Sequence, residues 1–410
     1  MIERPIEKYY SRVVNVLISI FPIVINSVQV AGDIVLFILA MMGIFIALWQ
    51  KLSPFAIKEI KVFSYLTTAY FLAVCLSVLF SGQPKELAHF IPRDFYFFFA
   101  PFIALALFKA EIKLTYLLMG TKIALLYLGI IVLDQILSGI IRPSGVMNAG
   151  VFGNLAVSLF FVTLVFLEHE TFKQKILSFL SLLSGLFIIV ASGTRGAWLS
   201  FVLLLVVYLY FFYKQKNKLS SISKITSFLI IASVVSVGFF NESVKDRTYS
   251  AYNDTSNWLS GDNTTASSAG LRLEMYKLAF EKIDDVPFFG HGYRTSNVVV
   301  FENSTSYAGR LSYTFNHLHN AYLTQYFNGG FVLLGALLLL LFVPLRLFLK
   351  ANIQNRDNPL YISGVMLILG YASYGMVNIL FGDTYMNGFY VFFLAIFLLL
   401  TNKSIKGPEA

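Results

Sequence analysis

The sequence predicts an all-α polytopic membrane protein of about twelve transmembrane helices, with one large outward-facing loop containing short helices. Three observations predict it. Hydrophobic residues make up 57% of the 410 positions and charged residues only 13%, which leaves too little polar surface to cover a globule in water. The apolar residues fall in runs of roughly 20, the length needed to cross a bilayer core. The basic residues are distributed asymmetrically between the connections, as the positive-inside rule requires.

The spans are placed near 13–31, 34–50, 62–81, 94–108, 114–139, 147–167, 176–192, 197–213, 225–240, 320–345, 360–381 and 386–401. The first follows a basic start, Arg4, Lys8 and Arg12, that resembles a signal peptide. Phe21-Pro22-Ile23-Val24 continues it without a small-residue cleavage site, so it reads as an uncleaved helix. The fourth, with Phe95-Tyr96-Phe97-Phe98-Phe99, is short and is expected to be tilted or packed inside. Every span is read as a helix, because an open sheet edge cannot satisfy its hydrogen bonds in lipid, and no segment has the period-two pattern of a membrane barrel. The spans form a single membrane domain, 1–410, in which the lone Cys75 has no intrachain disulfide partner.

Basic residues orient the chain. With the N-terminus cytoplasmic, nineteen lysines and arginines fall on inner segments, whereas the short outer segments hold only Lys85, Arg93, Arg142 and Arg195. Both termini are therefore expected in the cytoplasm. The long connection between the ninth and tenth spans, 241–319, is expected outside. It contains turn-rich polar stretches at Asn253-Asp254-Thr255-Ser256-Asn257 and at 260–265. After them, Leu271, Met275, Leu278 and Ala279 line one face of an amphipathic helix that ends near Val286-Pro287-Phe288-Phe289-Gly290.

Polar groups at membrane depth are costly, so ionisable residues at span ends are the candidates for function. Ser192-Gly193-Thr194-Arg195-Gly196-Ala197-Trp198 sets an arginine in a glycine turn where a helix begins, an arrangement that suits an anion or a plain helix hairpin with a snorkelling arginine. Arg272, placed in the first turn of the amphipathic helix, sits where a cation is unfavourable unless an anion or a carboxylate such as Glu274 joins it. His317 and His319 precede the tenth span; a neutral imidazole can remove a hydroxyl proton, while an i, i+2 pair could share a metal only on irregular backbone. No HExxH or third clustered ligand accompanies them, so no metal site is expected. Five further residues are weaker. Arg93 and Asp94 read as a surface ion pair; Asp383 would orient a histidine or cap a helix; Lys122 and Asp134, about 18 Å apart on one helix, each suit a cavity lining. Lys122 also suits a transporter or lipid flippase, but no repeated halves support that class. The glycine turn around His291 and Arg294 reads as structural.

Together, Ser192–Trp198, Arg272 followed by Pro287-Phe288-Phe289-Gly290-His291-Gly292, and His319-Asn320-Ala321-Tyr322-Leu323 resemble the signature of the O-antigen ligase and Wzy-polymerase superfamily. Gly330 matches a further ligase position, while Leu333 stands where ligases often carry Gly, Thr or Tyr. The resemblance implies an inverting, metal-independent glycosyltransferase of the GT-C type in the bacterial inner membrane, with its active site facing the periplasm. Its donor would be an undecaprenyl-pyrophosphate-linked glycan and its acceptor a hydroxyl of lipid A–core oligosaccharide. It further implies His319 as catalytic residue and Arg195 and Arg272 as pyrophosphate-binding residues. His317, Asn320, Asp383 and Arg93 would support them. No metal or nucleotide cofactor and no nucleic-acid partner is expected. An O-antigen polymerase and a protein O-oligosaccharyltransferase share the donor and differ in acceptor.

Overall fold

A computed structural model describes residues 5–81, 87–215, 224–225, 228, 242–261, 267–302, 304, 310–311, 315, 317–354 and 358–405. The described helices are α1 (Pro5–Val24), α2 (Ala31–Trp49), α3 (Lys61–Phe80), α4 (Leu87–Lys109), α5 (Leu114–Leu137), α6 (Ala149–Phe166), α7 (Phe172–Ala191) and α8 (Arg195–Gln215), followed by α9 (Glu242–Leu259), α10 (Ser268–Glu281), α11 (Ser296–Phe301), α12 (Ala321–Gln354), α13 (Pro359–Gly375) and α14 (Thr384–Ile405). Among the described residues there is no strand, and eight helices are long and apolar enough to cross a membrane by length and composition: α2, α3, α5, α6, α7, α8, α12 and α14. Helices α1, α4 and α13 fall on three more of the expected spans. The expected ninth span, 225–240, lies mostly outside the described residues.

Burial sorts the helices into an inner and an outer set. Helix α6 is apolar all round and buried from Gly150 to Phe166, as a helix without a polar face must be when neighbours surround it. Helices α13 and α14 are also largely buried. By contrast, α2 exposes Phe37, Phe45 and Leu48, and α5 exposes Ile130 and Leu137, an outward apolar belt suited to acyl chains. Glycines let backbones approach within the bundle: a Cβ on Gly43 would lie 1.9 Å from the Phe102 carbonyl oxygen, and one on Gly120 2.2 Å from that of Ser19. The fourth span is longer than expected, because its helix begins at Leu87 and spans 23 residues.

The segment after the eighth helix is more helical than its composition implies. Asn253–Asn257, expected as turns, lies inside the 18-residue α9. Its serines and threonines bond back to the preceding turn, as Thr255 Oγ1 does to the Ala251 carbonyl at 2.8 Å, and Trp258 Nε1 donates to Glu274 Oε2 on α10 at 3.1 Å. Docking on a neighbour thus overrides a polar composition. Ser267 caps α10 by accepting from the Gly270 N–H. Three of the four residues of the expected amphipathic face pack inward: Met275 and Ala279 are fully buried in a cluster with Val286, Val300, Phe301, Leu318 and Phe327, and Leu278 packs beside them, while Leu271 lies outside that cluster.

Helix α12 is interrupted at Gly329 (φ −135°, ψ 15°) and Gly330 (φ 60°, ψ −152°), nine residues into the span. In an unbroken helix the Phe327 and Asn328 carbonyls would accept from residues 331 and 332. Here they accept instead from His291 N at 2.9 Å and Gly292 N at 2.9 Å, while Phe331 N donates to the Phe288 carbonyl at 3.0 Å. Ser77 Oγ adds a 2.8 Å bond to the same Asn328 carbonyl, and Tyr293 N donates to the Ser77 carbonyl at 2.9 Å. The loop segment 287–293 is therefore clasped to α12 and α3 through backbone. A Cβ on Gly290 would lie 2.4 Å from Gly329 N, and one on Gly330 2.0 Å from the Phe288 oxygen, so both positions admit only glycine.

Gly330→Ala is expected to destabilise the protein by at least about 2 kcal/mol, since its φ and ψ lie in a region reserved for glycine. Gly335→Ala, which meets nothing within 4 Å, is expected to be neutral or slightly stabilising. Thermal unfolding in detergent checks both, and equal unfolding temperatures for the two variants would refute the clasp's structural role.

Candidate functional site

The polar chemistry gathers where the ends of α3, α5, α7 and α13 meet the starts of α4, α6, α8, α12 and α14. The loop helices cover this end of the bundle. At the opposite end, Asn15 bonds the Glu111 carbonyl at 2.8 Å and Asn402 that of Glu59 at 2.7 Å, which ties the basic connections together.

Arg195 is the first residue of α8, behind Gly193 (φ 59°). The turn is fixed by Thr194 Oγ1 on the Ala149 carbonyl at 3.0 Å and by Trp198 Nε1 on the Ile189 carbonyl at 2.9 Å. Arg195 makes a long ion pair of 3.7 Å with Asp254 on α9, a contact that α9 being a helix brings into reach. The guanidinium of Arg247 lies against Gly193, where a Cβ would meet it at 3.1 Å. Sequence reading did not single out Arg247. Nor did it weigh Arg142, counted only as an outer charge, yet Arg142 and Arg195 together depress the pKa of Arg247 after burial does.

Arg272 completes this cluster. Helix α10 begins at Ser268, so Arg272 sits in its second turn rather than its first, and burial rather than the helix dipole makes its charge costly. Burial is the largest cause lowering its pKa, with Arg195 and Arg142 adding to it and Tyr276 opposing. Its Nε is buried and has no hydrogen-bond partner among the described residues. Glu274, the carboxylate that sequence reading offered Arg272, is buried against Trp258 instead. Four arginines from four segments therefore face one another with one long-range carboxylate contact at Arg195. Like charges held together in this way lower their mutual repulsion by admitting an anion, and guanidinium forks match phosphate oxygens.

His317 and His319 stand beside this cluster. The backbone is irregular here: His319 has a φ of 48°, a conformation that costs a non-glycine residue about 1–3 kcal/mol. Tyr276 O–H holds the His319 carbonyl at 2.9 Å and reaches the Met376 carbonyl at 3.2 Å, fixing the strained residue to α10 and α13. Asn320 accepts from Leu323 N at 3.0 Å and so starts α12. The bend brings the two imidazoles, expected to diverge, to a ring separation of 4.5 Å. Both carry a buried nitrogen without a partner among the described residues, Nε2 of His317 and Nδ1 of His319. Burial lowers the pKa of His319 to about 3, with His317 and Arg272 contributing. Burial likewise lowers that of His317 to about 4, with Arg272, Arg93 and Arg294 contributing. Among the described residues, no group of three or more His, Cys, Asp or Glu side chains is placed to hold a metal ion.

The remaining candidates resolve as follows. Asp94 is not part of a surface pair: it is buried and accepts from Tyr293 O–H at 2.7 Å. Arg93 instead lines a cleft with Asp383 and His317. Asp383 caps α14 by accepting from Met386 N at 3.1 Å. Lys122 lies at the other end of the bundle, closed into a buried ion pair with Glu170, so the residue that suited a transport path is occupied.

Residues 179–340 match the family model described as O-antigen ligase (Wzy_C), a stretch that holds Arg195, Arg272, His317, His319 and the Gly329–Gly330 break. An uncharacterized protein of Haemophilus influenzae is 26% identical over 390 residues, which cover 90% of this chain and 93% of that protein. The family match bears out the resemblance to the O-antigen ligase and Wzy-polymerase superfamily drawn from the motifs.

Inorganic pyrophosphate is expected to raise the unfolding temperature of the purified protein, and less so at high salt. Arg247→Gln should weaken this binding roughly tenfold, the loss of one charge-assisted hydrogen bond. Calorimetric affinity equal to that of the unaltered protein would remove Arg247 from the anion site.

Proposed function

We propose that the protein is an O-antigen ligase: an inverting glycosyltransferase of the GT-C type that moves glycan from undecaprenyl pyrophosphate to a sugar hydroxyl of lipid A–core oligosaccharide. The observation that carries this reading is the arginine cluster, with one long carboxylate contact, beside a buried histidine pair in which His319 is strained. The positive-inside count supports an orientation with both termini in the cytoplasm of a bacterial inner membrane and this site in the periplasm.

On this reading Arg195 and Arg272, joined by Arg142 and Arg247, hold the donor's pyrophosphate. They supply the positive charge that a divalent ion brings to metal-dependent transferases, so neither metal nor nucleotide takes part. A cleft of about 500 Å³ opens beside Gly193 and Arg247 and is walled by Ile136, Ile140, Phe187 and Trp198. Its apolar wall with a cation at the rim suits the first isoprene units of a polyprenyl tail. His319 accepts the proton of the acceptor hydroxyl as that oxygen attacks the anomeric carbon. The bond from that carbon to pyrophosphate breaks on the opposite face, its electron pair leaves on the phosphate oxygen, and the configuration inverts.

The electrostatics tune this base. In the resting site burial, with His317 and Arg272 adding to it, holds His319 neutral but weakly basic. A bound pyrophosphate cancels the arginine charge and raises the histidine pKa toward the working pH, so the base gains strength when the donor arrives. The identity of the acceptor separates this reading from the polymerase, whose acceptor is a second lipid-linked glycan, and from a protein transferase.

In a reconstituted assay with lipid-linked donor, chelated of metal, His319→Ala should lose at least about a hundredfold in transfer rate. Full activity of that variant would remove His319 as the base. Because neutral imidazole is required, activity should fall only at acidic pH. The acid limb of kcat/KM, which reports the free enzyme, should lie well below the usual histidine value of about 6.5, and the limb of kcat, which reports the complex, should lie above it. A kcat limb at the lower pH would contradict donor-induced tuning.

A further inference from the structure

A second polar cleft opens beyond His317. It encloses about 180 Å³, and at a liquid share of roughly 30 Å³ per water molecule it has room for a single sugar ring. Its lining is drawn together from distant segments: Arg93 at the start of α4, Arg294 behind the clasp, Gln325 and Asn328 on α12, Asp383 before α14, and His317. His319, Arg195 and Arg272 do not line it.

The chemistry of this lining is mixed. A simple anion would be opposed by Asp383 and Asp94, and an apolar ligand would leave Arg93 and the amides idle. A pyranose uses all of them, because its hydroxyls both donate and accept, and its C–H faces pack on rings such as Tyr70 and Tyr293. Asp94 accepts from Tyr293 O–H and Asp383 from Met386 N, and a carboxylate with about four lone-pair sites keeps acceptor capacity beyond such contacts.

Position points the same way. His317 lines the cleft and His319 does not, although their rings are 4.5 Å apart, so the cleft lies on the His317 side of the pair. Arg272 acts on both histidines, whereas Arg93 and Arg294, which line the cleft, act on His317. Among the described residues, four non-glycines have positive φ, and two of them, Arg294 (59°) and His319 (48°), belong to this site. Strained backbone of this kind persists where a side chain must be aimed. An inverting displacement needs its nucleophile on the face opposite the leaving group. If pyrophosphate occupies the arginine cluster, the acceptor has to approach from the far side of the histidines, where this cleft lies.

We infer that the cleft is the acceptor subsite, in which Arg93, Arg294, Gln325 and Asp383 bind the sugar ring whose hydroxyl attacks. The inference rests on the transferase reading above. No bond is made or broken in the cleft itself; it sets the orientation of the hydroxyl relative to His319.

The experiment is steady-state kinetics on the reconstituted full chain, varying acceptor oligosaccharide at saturating donor and then donor at saturating acceptor. Arg93→Gln and Asp383→Asn, the latter able to keep the helix cap because asparagine caps as well as aspartate, should each raise the acceptor KM roughly tenfold and leave the donor KM within about twofold. Arg195→Gln should do the reverse. Arg93→Lys, which keeps the charge but not the fork, should fall between Arg93→Gln and the unaltered protein. Size-exclusion elution and unfolding temperature confirm that each variant is folded. A raised donor KM in Arg93→Gln, or unchanged values of both constants in Arg93→Gln and Asp383→Asn, overturns the subsite. An unaltered protein that transfers glycan to no acceptor overturns the transferase reading and this inference with it; transfer with an unmoved acceptor KM overturns the inference alone.

Discussion

The rest of the site depends on one backbone arrangement, the clasp between residues 287–293 and the broken helix α12. A helix interrupted inside the span leaves carbonyls that nothing in lipid can satisfy, at a cost of several kcal/mol each. Here the N–H groups of His291 and Gly292 take those carbonyls, and Ser77 on α3 shares one of them. The same few bonds fix three things at once. They hold the loop against the bundle, aim Tyr293 at Asp94 on α4, and place Arg294 at the mouth of the second cleft. Because the contacts run between main chains at glycines, the register between loop and span is set without side chains, which are left available for chemistry.

Around this frame the electrostatics are deliberately unbalanced. Clustered arginines with a single long carboxylate contact repel one another in an empty protein, and the same charge and burial keep the imidazoles neutral and weakly basic; an entering anion relieves the repulsion and strengthens the base. The clustering of Arg142, Arg195, Arg247 and Arg272 with the histidine pair is therefore one feature rather than two. Part of the binding energy of an anionic donor would be spent on making a better base, which couples recognition to proton transfer.

The helical spans were legible because bilayer thickness acts on every residue of a span, so run length reports it locally. Arg195, Arg272 and His319 were legible because each lies in a short motif with glycine or asparagine beside it. Arg142 and Arg247 were not, since each reads alone as an ordinary basic residue in a connection; their meaning comes from proximity to residues 25 or more positions away, Arg247–Arg272 being the shortest separation in the cluster. An excess of unpaired arginine on the outer side was the signal that could have found them. Asp94 was misplaced at the surface because its partner, Tyr293, is 199 residues away. Helix α9 was missed because its composition lacks an apolar stripe, and its stability comes from docking on α10. The resemblance to the superfamily held over the stretch that carries the break and both motif arginines, while Arg93 and Asp383 lie outside that stretch.

The interrupted span also constrains how the chain assembles. Emerging from the insertion machinery, α12 exposes two carbonyls that a segment made some forty residues earlier covers, and in the proposed orientation that segment lies across the bilayer core from the cytoplasm. In that orientation the loop is exported first and waits near the lipid boundary until α12 arrives beside it. Until then neither piece has a settled home. The last step of biogenesis and the completion of the reactive centre are thus a single event, and a chain that stalls before it carries no competent site.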